Sequence, residues 1–128
     1  MRLLRDTHVL LWAALEPARI SVSGRDRLND PGHDLLFSPA SLLEIAIKRG
    51  LGRLDFTVQP RPLRRALLDN GYTELPITRQ QAVAVEDLPA IHKDPFGRLL
   101  VAQAIVEGVF LVSADPVLAR YPAPVRAI

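Results

Sequence analysis

Short apolar runs and helix-length amphipathic stretches alternate along the chain. LLR (3–5) runs into THVLLWAALE (7–16), DLLF runs into SPASLLEIAIKRG (38–50), and VFLVS (109–113) is the most apolar run of all. The pattern predicts strands over 2–5, 33–38, 109–113 and 125–128. A further edge segment is predicted at 73–77, where Pro76 disfavours a central strand. Helices are predicted over 7–16, 20–32, 38–50, 62–71, 78–89 and 94–108, with a short one from Asp115 to Tyr121 and a loop over 53–62. Ser38, Pro39 and Gly50 supply a cap, a first-turn residue and a stop, and Asp94-Pro95 opens the helix that Gly108 ends. Short apolar strands alternating with helices imply an α/β fold, with a central parallel sheet covered by helices on both faces.

Composition narrows the class. The 128 residues suit one domain, 1–128, and 48% hydrophobic content is enough for a core at that length. Cysteine is absent, which excludes disulfides and thiolate metal sites. No apolar run approaches the roughly 20 residues that span a bilayer. MRLLRDTHVLLW carries charges within its apolar stretch and no small-residue cleavage pattern. A soluble cytoplasmic protein is expected. Net charge is only +2, although Lys48 and Lys93 are the only lysines among 16 basic residues. That balance is weak support for nucleic-acid binding by itself.

In a parallel sheet, sites form beyond the carboxyl ends of the strands. Asp6 follows the first strand and Asp115 follows VFLVSA. Either alone reads equally as a helix cap. Glu44 lies among Leu42, Leu43, Ile45 and Ile47, where an acid needs a partner or a metal. A capping box from Ser41 and an ion pair with Lys48 at i+4 are the competing readings. Asp94 reads as the cap of its helix. Together Asp6, Glu44 and Asp115 are placed to converge, and carboxylates without a His or Cys pair favour Mg²⁺ or Mn²⁺. His8 reads as structural, while His33 and His92 read as solvated turn residues.

LLRDTHVLLW, SPASLLEIAIKRGLGRL, LPITRQQAVAVEDLP, HKDPFGRLLVAQA and VEGVFLVSADPVLARY, in this order and spacing, resemble the PIN-domain ribonucleases, and more closely the VapC-type toxins of toxin–antitoxin pairs. The resemblance runs through nearly the whole chain. It implies a three-layer α/β/α sandwich, an acidic pocket holding Mg²⁺ or Mn²⁺, and hydrolysis of RNA phosphodiesters. It also implies a homodimer and neutralisation by a cognate antitoxin. The family's acids fall on Asp6, Glu44 and Asp115, with Asp94 as a further acid. Thr7 and Ser113 fall on residues that line the site, and Lys48 and Arg98 are candidate phosphate or acid partners.

Two positions depart from the pattern. Gly97 stands where the family usually has another active-site Asp, which allows a protein that binds antitoxin, and RNA, without cutting. Arg5 replaces an apolar strand residue. It is expected on the sheet face opposite Asp6, with an acid partner or an exit to solvent. A receiver-like domain using Asp6 or Asp115 as phosphoacceptor is a further reading, but it gives Glu44 no role.

Overall fold

The computed structural model describes residues 1–128. Strand β1 (Arg2–Arg5) leads into helix α1 (Thr7–Leu15), a 3-10 turn at Pro17–Arg19 and α2 (Val22–Leu28). Then come β2 (Asp34–Phe37), α3 (Pro39–Gly50), α4 (Pro60–Asp69) and β3 (Thr73–Glu74). The chain closes with α5 (Arg79–Ala84), α6 (Pro95–Glu107), β4 (Phe110–Ser113) and β5 (Val125–Ala127). No helix is long and apolar enough to cross a membrane.

The strands form one sheet in the order β3-β2-β1-β4-β5, parallel throughout. Strand order reverses between β1 and β4, so a crevice opens beyond their carboxyl ends, where Asp6 and Asp115 follow them. Side-chain alternation sorts the core into two sides. Leu4, Leu36 and Leu111 face α6, packing with Leu100, Val101 and Ala104. Leu3 and Val112 face the other way, against Val9, Ile20 and Leu28. On that side Phe37 joins Leu10, Ile45, Leu63 and Leu67. Helices therefore cover both faces, as the sequence predicts.

Several predicted boundaries shift. The helix expected over 20–32 is confined to α2, and α4 starts at Pro60 inside the predicted loop. The helix expected over 78–89 tightens after Ala84 into a 3-10 turn at Val85–Asp87. The short helix after Asp115 is only a 3-10 turn at Leu118–Arg120. Thr78 and Gln81 form a reciprocal capping box at the start of α5, and Gly108 ends α6 with the left-handed φ of 65° that favours glycine.

Arg5 does lie on the face opposite Asp6, but it has no acid partner. It is 3% exposed, and its guanidinium sits over the Tyr72 ring, 4.9 Å from the centroid.

Candidate active site

Asp6 is the N-cap of α1: its Oδ1 accepts from Val9 N at 2.9 Å. Its Oδ2 accepts the Ser113 hydroxyl proton. The same Ser113 Oγ accepts from Asp115 N at 3.0 Å, so one hydroxyl at the end of β4 ties the two strand-end acids together. Asp115 Oδ1 in turn accepts from Val117 N at 2.9 Å. Asp6 therefore does cap α1, as one of its two readings has it, whereas Asp115 closes a local turn ahead of the 3-10 turn at Leu118–Arg120.

Glu44 reaches the pocket from α3, which Ser38 caps by accepting from Ala40 N at 3.0 Å. Ser41 is therefore not the cap of a capping box; its hydroxyl accepts from Thr7 Oγ1 at 3.0 Å. Lys48 donates to Glu44 Oε2 and, at 3.4 Å, to Asp94 Oδ2. Its ammonium also faces the rings of Phe56 and Phe96. Burial opposes the Lys48 charge, but Glu44 and Asp94 outweigh it and raise its pKa. Asp94 caps α6 by accepting from Phe96 N at 2.9 Å.

Asp6, Glu44, Asp94 and Asp115 all line one pocket of about 80 Å³, together with Thr7, His92 and Gly97. A wider cleft of about 420 Å³ adjoins it through Asp6, His8 and Asp115, and Trp12 and Arg19 line it. Asp6 is 5% exposed and Glu44 4%. Burial pushes the Asp6 pKa up against the opposing effect of the Ser113 and Val9 hydrogen bonds. The Lys48 ammonium is not part of the pocket lining; it reaches Glu44 and Asp94 from outside it.

The residues fit a hard cation in their chemistry, since every acidic donor is an oxygen. Asp6, Glu44 and Asp115 do not converge as closely as expected: no three acidic or imidazole side chains are placed to hold one ion between them. Lys48 engages Glu44, and His92 engages Asp115. Mg²⁺ commonly keeps several waters and takes only one or two carboxylates, so the arrangement suits a hydrated ion rather than a closed cage.

His92 is the residue that the sequence misplaced. It is not solvated: its side chain is 19% exposed, and Nε2 lies 2.9 Å from Asp115 Oδ2. Its Nδ1 accepts from Asp94 N at 2.9 Å, which leaves the neutral ring's proton on Nε2, directed at Asp115. Its backbone N donates to Tyr121 Oη at 2.8 Å. His8, expected to be structural, has a side chain 43% exposed at the rim, stacked edge-on against Phe56. The His33 side chain is tucked in as well, at 14% exposed.

Arg98 lines neither the acidic pocket nor the adjoining cleft. Its guanidinium donates to Pro89 O and Val85 O at 3.0 Å each and to Tyr121 Oη at 3.3 Å. It fastens the segment carrying His92 instead. Gly97 has no left-handed backbone to explain it. A Cβ there would meet Leu118 Cδ2 at 3.2 Å and the His92 ring at 3.9 Å, so the position is open to the pocket but tight.

The family profile described as PIN domain matches residues 3–124. No match was found among curated proteins. Among solved structures, the fold is similar to a chain of VapBC2 from Rickettsia felis, solved bound to a promoter DNA fragment (TM-score 0.73, 13% identity, 99% of this chain and 98% of that one). It is also similar to a chain of VapBC-1 from nontypeable Haemophilus influenzae, at TM-score 0.62 and 15% identity, with 99% and 98% covered. A chain of DNA-bound VapBC from Salmonella typhimurium matches at TM-score 0.61 and 15% identity over the same shares.

Proposed function

The chain belongs to the PIN domain family, and from that premise we propose that it is a divalent-metal-dependent endoribonuclease toxin neutralised by an antitoxin protein. The observation that carries this reading is the pocket itself: four carboxylates at the switch point of a parallel sheet, with no lysine or arginine in the lining. Carboxylates gathered around one small pocket favour a cation. A bound Mg²⁺ or Mn²⁺ supplies Lewis acidity toward a phosphate oxygen and makes water a better nucleophile at neutral pH.

The chain's own groups do the rest. Asp6, Glu44 and Asp115, with Asp94 beside them, would hold a hydrated ion, most of them through its waters rather than by direct ligation. Ser113 keeps Asp6 and Asp115 in register, and His92 orients Asp115 through Nε2–H. Thr7 braces α1 against α3 through Ser41. Lys48 balances Glu44 and Asp94 from outside the pocket lining, and Arg19 lines the adjoining cleft.

A toxin's partner is supported by the likeness in fold to chains of VapBC complexes and by an exposed apolar stripe at Leu43, Ile47, Leu51 and Leu54. Homodimerisation and a cytoplasmic setting belong to the same reading, and light scattering on the isolated chain tests the dimer. A second reading, a PIN fold that binds antitoxin without cutting, is favoured by Gly97: the pocket wall presents no side chain there, and Leu118 crowds the position.

The test is RNA cleavage with Mn²⁺, with and without chelator, by the unaltered chain and by Asp6→Asn. Chelator-sensitive cleavage lost in Asp6→Asn is expected. Cleavage indifferent to chelator contradicts the metal-dependent reading. Mn²⁺ binding without cleavage selects the second reading.

A further inference from the structure

On the sheet face away from the acidic pocket, Arg5 is in an unusual position for a charge. It is 3% exposed, yet its Nε has no hydrogen-bond partner. Tyr72 is the only charged or titratable group that acts on it. Burial lowers the Arg5 pKa, but a guanidinium starts so high that it keeps its charge. Burial raises the Tyr72 pKa against the pull of Arg5, so the phenol stays neutral and gives the guanidinium only its ring face. Buried charges are ordinarily paired, because an unpaired one forfeits hydration and receives nothing in return.

Arg5 lies in the wall of an open cleft of about 410 Å³. Leu10 and Ala13 of α1 form one bank, Leu63 and Ala66 of α4 the other, and Asn29 and Asn70 stand at the rim. The volume falls within the roughly 300–1,000 Å³ of small-molecule sites, which combine an apolar lining with a few placed polar groups. One cation asks for one negative charge. A planar fork suits a carboxylate, and the aliphatic banks suit a hydrocarbon.

We propose that this cleft binds a small organic monocarboxylate, its carboxylate on Arg5 and its hydrocarbon part along α1 and α4. The site is separate from the acidic pocket, on the other face of the sheet, and does not depend on the nuclease reading.

Octanoate is the probe, with acetate and inorganic phosphate supplying charge without a body and octanol supplying a body without charge. Binding to the full chain is followed by backbone amide NMR shifts and by thermal melting. Octanoate is expected to shift residues around Arg5, Ala66 and Tyr72 and to raise the melting temperature. Octanol is expected to bind roughly tenfold or more weakly, the worth of a charge-assisted hydrogen bond. Arg5→Met should fold, melt no lower than the unaltered chain without ligand, and lose the preference for octanoate over octanol. Octanoate shifts absent from this cleft, equal binding of octanol, or octanoate binding unchanged in Arg5→Met each overturn the proposal. An Arg5→Met chain that does not fold overturns it too, because Arg5 would then be a structural requirement. Shifts from acetate or phosphate matching those of octanoate replace it with a plain anion site.

Discussion

Arg5 and Asp6 are neighbours in sequence, both buried, on opposite faces of one sheet. Asp6 is fully engaged, with Val9 N–H on one oxygen and the Ser113 hydroxyl on the other. Arg5 has an aromatic face and no acceptor for its Nε. The contrast extends outward from each. On the Asp6 side every acid has an internal donor: Lys48 for Glu44 and Asp94, His92 and Val117 for Asp115. On the Arg5 side the surroundings are largely aliphatic. A functional pocket holds its charges in place before any ligand arrives. A charge left unsatisfied lowers stability until something binds it.

The largest expected effect is on the Asp6 side. Asp6→Asn should lower cleavage by on the order of 100-fold or more, the scale seen when one preorganised group is lost, as read in single-turnover RNA cleavage. The fold should survive, since Asn also caps a helix. A carboxyl whose folded-state pKa is raised stabilises the fold most at acid pH, and that contribution fades as pH climbs through the folded value. Ionised Asp6 is therefore a cost at neutral pH. Asp6→Asn should melt at or above the unaltered chain at pH 7 in chelator, and the advantage should shrink as pH falls. A variant that melts lower at neutral pH breaks this side of the comparison.

His92 gives the next effect. Asn keeps an acceptor near the place of Nδ1, whereas Gln keeps a donor near the place of Nε2. If His92 acts by orienting Asp115, His92→Asn should weaken Mn²⁺ binding by roughly 10–100-fold, the usual cost of losing a group that orients a ligand. His92→Gln should stay nearer the unaltered chain. Calorimetric Mn²⁺ titration reads the order, and the reverse order rejects the role.

On the Arg5 side, Arg5→Met should raise unfolding free energy by about 1–2 kcal/mol in denaturant melts without ligand, within the range found when buried charges give way to apolar residues. A loss of stability would show that the ring of Tyr72 compensates the guanidinium after all.

The smallest effect is at Gly97. Ala there gains about 0.5–1 kcal/mol of helix propensity and gives part of it back at Leu118, whose side-chain end must move a few tenths of an ångström. Gly97→Ala should change stability by less than about 0.5 kcal/mol, measured by the same melts.

The sheet and its acids were legible because their signals are local. An apolar run, an acid after it and a cap before a helix are all written within a few residues, as in LLRD, SPAS and DPF. What escaped depended on residues far apart. His92 looked like a turn histidine because Asp115 and Tyr121, which fix it, lie 23 and 29 positions downstream. Arg98 looked like a phosphate contact because its acceptors are backbone carbonyls, which carry no residue signature. The break after Ala84 was hidden for the same reason: Arg98 holds the carbonyl of Val85, where the 3-10 turn begins. That Arg5 would be buried opposite Asp6 followed from strand alternation, but its pairing with Tyr72 required the return of the chain along β3.

The central claim is that the acidic pocket is a metal site acting on RNA, and the most direct measurement is Mn²⁺ titration of the unaltered chain beside Asp6→Asn, followed by RNA cleavage on the same samples. The account predicts saturable Mn²⁺ binding that Asp6→Asn weakens, and cleavage that rises with occupancy of the unaltered chain. Cleavage that persists at full strength in Asp6→Asn with Mn²⁺ removed would contradict it.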